Sequence, residues 1–207
     1  MEIEAKYIIA DPTAFARLLE LHRLGEYALQ PSATPDRQRN TYYDTTDGRL
    51  QKRRYGLRIR QVGEHSVATL KGESQVHAGL HERSEWEVPA TSPDPRTWPT
   101  GAARETALAL LGETFQLVTL VQINTERHTI IASRDDLPVI EMSLDRGTFE
   151  AAGRSLPFRE LELELLPDGE YADLAALAEL LSRYVDLQAE NRSKLERAMT
   201  LLDVKKN

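Results

Sequence analysis

Residues 2–8 read EIEAKYI, and their alternation decides the fold. In an extended strand, side chains at i, i+2 and i+4 share one face. Glu2, Glu4 and Lys6 fall on one face, and Ile3, Ala5 and Tyr7 on the other. In a single strand, the charged face would simply meet water. Here the pattern recurs. GLRIR (56–60) sets Arg58 and Arg60 against Leu57 and Ile59, and TLK (69–71) places Thr69 with Lys71. RSEWEV (83–88) groups Arg83, Glu85 and Glu87 against Ser84, Trp86 and Val88. EMSLD (141–145) groups Glu141, Ser143 and Asp145 against Met142 and Leu144. ELELEL (160–165) opposes Glu160, Glu162 and Glu164 to three leucines.

A sandwich with a polar exterior accounts for such strands. The C-terminal helical segments argue for another arrangement. Leu174, Leu177 and Leu181, and then Leu195, Met199 and Leu202, form apolar stripes that must cover a surface. If they cover the outside of a barrel, the apolar strand faces point outward and the charged faces line the lumen. That lumen holds a basic set, Lys6, Arg58, Arg60, Lys71 and Arg83. It also holds an acidic set, Glu2, Glu4, Glu85, Glu87, Glu141, Asp145, Glu160, Glu162 and Glu164. Unpartnered, such burial is very costly. Arginine forks match phosphate oxygens, lysine adds a point charge, and clustered carboxylates suit a hard cation such as Mg2+ or Mn2+. Together they describe a site for a metal–polyphosphate.

The rest of the chain fits many antiparallel strands with helices at the edges. Asp11-Pro12 starts a helix carrying Phe15, Leu18, Leu19 and Leu21. A polar loop with Pro31, Ser32 and Pro35 follows, and residues 39–50 read as a strand entering a turn at Asp47-Gly48. Residues 91–101 are a proline-rich loop, and 102–112 a short helix ending at Gly112. Residues 115–133 form two strands or one long bent one; 137–151 and 158–166 are strands; 170–185 and 192–202 are helices. Connections are mostly too short for parallel crossovers. The expected class is α+β: an antiparallel eight-stranded barrel with flanking and C-terminal helices, one domain over 1–207.

Composition narrows the chemistry. The chain has 207 residues, a formal net charge of −7 and no cysteine. Thiol nucleophiles, disulfides and cysteine-ligated metals are excluded. The acidic balance points to neither nucleic acid nor membrane as a partner. No long apolar run or signal peptide is present, and a cytoplasmic location is expected. His77 and His81 lie four apart with Gly79 between them, against a zinc helix; His128 reads as solvent- or partner-facing. Tyr42 and Tyr43 read as packing residues, Trp86 as outer packing, and Glu164 as lying beyond the site.

The Glu-x-Glu-x-Lys of residues 2–6 resembles the signature of the CYTH superfamily, the triphosphate tunnel metalloenzymes. The likeness continues in order through YYDTTDGRL (42–50), GLRIR, TLKG, ERSEWEV, Arg127 in NTERHTI, EMSLDRG, ELELELL and SKLERA (193–198). AGLHERSEWEV (78–88) and ELELELLPDG (160–169) are most similar to the bacterial inorganic triphosphatases. The resemblance implies an eight-stranded tunnel, a divalent metal (Mg2+ or Mn2+) and a triphosphate substrate. Lys6, Arg58, Arg60, Lys71, Arg83 and Arg127 resemble its phosphate ligands, and Glu2, Glu4, Asp145, Glu160 and Glu162 its metal ligands. Lys194 and Arg197 resemble basic residues that reach the tunnel from a plug helix. Glu85 is expected to orient water, and Lys71 or Lys6 to join proton transfer. The chain opens directly at the signature, whereas the superfamily's class IV adenylate cyclases carry an earlier His-Phe segment. Gly56 stands where thiamine-triphosphatases carry a tryptophan, and the histidine-rich C-terminal domain of many bacterial relatives is absent from these residues. These departures favour inorganic triphosphate. The rivals are a nucleoside- or thiamine-triphosphatase, a class IV adenylate cyclase, and a binding module that holds polyphosphate or nucleotide without turnover.

Overall fold

Strands and helices fall where the alternation and caps place most of them. The computed structural model describes the backbone of residues 2–72, 75–77 and 80–203, and the side chains of residues 3–72 and 84–202. In chain order the strands are β1 (Glu2–Ile8), β2 (Arg23–Leu24), β3 (Tyr27–Pro31), β4 (Asp36–Thr45), β5 (Gly56–Val62), β6 (His65–Lys71), β7 (Gln75–His77), β8 (Leu80–Arg83), β9 (Glu85–Pro89), β10 (Leu117–Arg134), β11 (Leu137–Ala151), β12 (Arg154–Leu165) and β13 (Gln188–Ala189). The helices are α1 (Pro12–Leu19), α2 (Ala102–Leu111), α3 (Tyr171–Tyr184) and α4 (Lys194–Asp203). Asp11 caps α1 by accepting from the Thr13 N–H at 2.8 Å, with Pro12 in the first turn. Among the described residues, no helix is long and apolar enough to cross a membrane.

One antiparallel sheet runs in the order β7-β8-β1-β12-β11-β10-β4-β5-β6-β9, with β13 on β1 and the β2–β3 pair on β10. Among the described residues no ladder joins the ends of that path. The sheet nevertheless curls. Lys6 on β1 and Lys71 on β6 line one cavity, although β12, β11, β10, β4 and β5 lie between them. Residues 117–134 form one long strand, not two. Its partner β11 passes so close at Gly147 that a Cβ there would lie 1.9 Å from the Asn124 carbonyl oxygen.

Apolar faces point away from the cavity. Ala5, Ile130, Ala132, Met142, Leu144, Leu161 and Leu163 are buried against Phe15 and Leu18 of α1 and Leu174, Leu177 and Leu181 of α3. Leu57, Ile59, Ala68 and Leu70 pack with Trp98 and α2, and Trp86 joins them as expected. The stripe of α4 differs. Leu195, Ala198 and Met199 pack on Tyr42, Val121, Ile123, Phe149 and Phe158, and Leu195 and Met199 line the cavity. α3 thus covers the outside while α4 plugs the inside.

One segment departs from the sequence reading. Tyr27–Pro31, expected to lead into a loop at Pro31, is a strand on β10, because Tyr27 and Leu29 bury against α3 and its neighbours while the alternate residues stay exposed. Asp44 is fully buried and accepts from the backbone N–H groups of Thr45, Leu50 and Gln51 at 2.7, 2.9 and 3.0 Å. It ties down the turn that delivers β5, and with it the two arginines.

Candidate functional site

The curl encloses a cavity of about 710 Å³. One wall is acidic. Asp145 on β11 stands beside Glu160 on β12 in register, with Glu162 two residues on. One carboxylate oxygen from each lies within 4.8 Å of the others. Three cations meet this group. Arg127 on β10, paired in register with Asp145, donates to both its oxygens at 2.8 and 2.7 Å and to Glu162 at 2.6 Å. The Lys194 ammonium lies 2.9 Å from both Asp145 and Glu162 and also contacts Glu160. Arg197, one helical turn on, reaches Glu160.

The three carboxylates do not behave alike. Burial pushes Glu160 up to about 7, with Glu162 and Asp145 adding to it and Lys194 and Arg197 opposing. Burial also acts to raise Asp145 and Glu162, but Lys194 and Arg127 outweigh it and hold both below the usual range. Lys194 and Arg127 move the other way. Burial disfavours their charge, and the carboxylates around them more than compensate, holding both above their ordinary values.

The opposite wall is basic. β5 supplies Arg58 and Arg60, and β6 supplies Lys71, which pairs with Glu85 at 2.6 Å. Arg58 donates to Thr69 at 3.1 Å and lies 3.8 and 3.6 Å from Glu85 and Glu87. Arg60 donates to Asn40 at 3.2 Å. Burial, Arg58 and Arg127 push its pKa down to about 10. On β1, Lys6 pairs with Glu4 at 3.2 Å. Between the walls stands Tyr42, in register with Arg58. Burial acts to raise its phenol, yet Arg58, Lys71, Arg60 and Lys194 outweigh that and lower it. Among the described residues, Arg58 Nε and Thr125 Oγ1 are buried with no hydrogen-bond partner, and both residues line the cavity. A guanidinium among the groups lining a basic cavity suits an anionic acceptor.

Lys6, Arg58, Arg60, Lys71, Arg127, Lys194, Asp145 and Glu162 all line the cavity; Glu160 belongs to the acidic cluster and Arg197 contacts it, without being lining residues. Of the five expected metal ligands, Asp145, Glu160 and Glu162 form the cluster, while Glu4 stands apart from it on Lys6. The side chains of Glu2, Arg83, His77 and His81 lie outside the described residues. Lys194 and Arg197, expected to face phosphate, face carboxylates here. Glu85 braces Lys71 and Arg58 and is not among the lining residues. Glu164 does line the cavity, correcting its placement beyond the site, because strict alternation keeps it on the inner face with Glu162. Tyr42 is a lining residue as well as a packing one. Its spacing from Gln38 and Asn40, which also line the cavity, is the signal that would have found it. His128 is half-buried against Glu126 and the Phe15 ring edge.

Asp145, Glu160 and Glu162 are oxygen donors without histidine or cysteine, and they already enclose a cation, the Lys194 ammonium. That donor set fits a hard divalent ion.

Comparison with known proteins agrees with the geometry. The CYTH domain family matches residues 1–199. The chain is 32% identical over 165 residues to an inorganic triphosphatase of Haemophilus influenzae, covering 78% of this chain and 45% of that protein. It therefore spans about half the length of that relative. Two solved structures are similar in fold. One is a Hippeastrum protein studied as an adenylyl cyclase and described as having a dominant triphosphatase activity (TM-score 0.61, 19% identity, covering 97% of this chain and 96% of that one). The other is a Bacillus halodurans protein described as an adenylate cyclase candidate (TM-score 0.62, 24% identity, 95% and 96%).

Proposed function

We propose, from the premise that this chain belongs to the CYTH domain family, that it hydrolyses inorganic triphosphate to pyrophosphate and phosphate. The observation that carries the reading is the opposition of two walls across one cavity, Arg58, Arg60 and Lys71 on one side and Asp145 and Glu162 on the other. Arg58, Arg60, Lys71 and Lys6 would hold the phosphoryl oxygens in one register, where fixed charge and position do most of the work of phosphoryl transfer. Asp145, Glu160 and Glu162 would hold Mg2+ or Mn2+, which when bound supplies positive charge to the triphosphate oxygens.

In the reaction a bond forms from the terminal phosphorus to a water oxygen as the bond from that phosphorus to the bridging oxygen breaks, and the bridging oxygen leaves with the pyrophosphate. The water's proton goes to a carboxylate of the site. Glu164, which lines the cavity, is the group we assign to orienting that water, while Glu85, which does not line it, acts by positioning Lys71 and Arg58. Lys71 and Lys6 would donate N–H hydrogen bonds to the phosphate oxygens, and either could pass a proton to the departing pyrophosphate oxygen. Tyr55, Leu195 and Met199 give the cavity an apolar portion, so organic triphosphates belong in the same assay.

The test is phosphate release from inorganic triphosphate, ATP and thiamine triphosphate, with and without Mg2+ or Mn2+. We expect metal-dependent release that favours inorganic triphosphate and falls roughly 100-fold or more in Glu162→Gln and Arg58→Ala. Cyclic AMP and pyrophosphate from ATP would make the protein a cyclase instead. No turnover by a folded protein that binds triphosphate would make it a binding module.

A further inference from the structure

α4 is attached to the sheet in two ways. Leu195, Ala198 and Met199 pack on apolar wall residues. Its ionic attachment rests on the acidic cluster. Lys194 touches Asp145, Glu160 and Glu162, and Arg197 touches Glu160 and lies 3.7 Å from Glu190. Lys194 is thus held by all three carboxylates at once. A divalent ion would need the same oxygens at about 2.0–2.1 Å for Mg2+, far inside the contact distance of an ammonium. On the same oxygens the two cations exclude one another.

We propose that Lys194 is a tethered competitor for the metal, so that metal entry and the seated position of α4 oppose one another. The inference rests on reading Asp145, Glu160 and Glu162 as the metal site. Its physical basis is linkage. A tethered ammonium acts at a high effective concentration, and whatever factor it takes from metal affinity, the metal takes from the attachment of α4. Metal binding removes the ionic partners of Lys194 and of Arg197 at Glu160, leaving α4 held by its apolar face. The freed ammonium stays at the edge of a cavity lined by Arg58, Arg60 and Lys71. Metal loading therefore loosens α4 beside the cavity that would take the triphosphate.

Two measurements on the full chain test this. Calorimetric titration with Mn2+ alone should show Lys194→Met binding about tenfold or more tightly than wild type, with Lys194→Arg staying weak. Hydrogen exchange of residues 195–202 in the wild type should speed up about tenfold on saturation with Mn2+. The second needs no variant, and decides the matter if Lys194→Met does not fold. Equal or weaker Mn2+ binding by a folded Lys194→Met, or α4 protection unchanged by bound Mn2+, overturns the proposal. Absence of Mn2+ binding in both proteins overturns it together with the metal site. Phosphate release, assayed separately, distinguishes the remaining failures. Turnover with an unresponsive α4 sinks only the competitor. A responsive α4 without turnover sinks only the triphosphatase.

Discussion

Tyr27 donates its phenol O–H to Asp173 at 3.0 Å, and Arg134 meets the same carboxylate at 2.7 Å. Asp173 also accepts the Glu170 backbone N–H at 2.9 Å, closing the cap of α3. Burial, then the bond to Asp173, pushes the Tyr27 phenol from 10.0 up to about 12. The folded state therefore keeps its proton longer than the unfolded chain. The stability this contributes is complete below pH 10 and is lost as pH rises toward 12. Tyr27→Phe should cost about 1 kcal/mol near neutrality and remove that alkaline loss, as urea titrations from neutral to alkaline pH would show. At the site, Arg58 makes a different demand. It donates to Thr69, stands between Glu85 and Glu87, and lines the cavity. Lysine keeps the charge but not the planar fork, so Arg58→Lys should still lose about tenfold or more in kcat/KM on triphosphate.

The β10–β11 pair sets the shape of the molecule. Its strands run 18 and 15 residues and carry both an outer apolar layer and the inner acidic wall. Gly147 lets them approach where any Cβ would collide with the Asn124 carbonyl. Gly147→Ala should therefore destabilise the fold by several kcal/mol or prevent its accumulation, seen as a lowered urea midpoint. α3 acts from outside. Leu177 is fully buried between it and the sheet, and Leu177→Ala should cost about 2–5 kcal/mol in the same measurement while leaving the site residues in place. α1, α2 and α3 were all legible from spacing and caps, because an outer helix needs only one apolar stripe. β3 was not. Its five residues become a strand by pairing with β10, a partner distant in sequence.

Across the whole molecule, the charged faces converge because the sheet curls. Triphosphate should therefore bind only the folded form. At about 100 times its Kd it should add about 2.7 kcal/mol and raise Tm by several degrees, an increase that Arg58→Ala should largely abolish in a thermal melt. The sequence by itself determined that each strand has one charged and one apolar face, where most helices begin and end, and that Arg58, Lys71, Asp145 and Glu162 share a face within their own strands. Period-two alternation dictates all of that locally. It cannot say which face is concave. Only the tertiary structure turned the charged faces inward, by covering the apolar ones with α1, α2 and α3. It alone brought Tyr42 and Glu164 to the cavity and seated Lys194 among Asp145, Glu160 and Glu162. The reason is that strands far apart in the chain come within a few ångströms only when the sheet bends, and no local pattern encodes that distance.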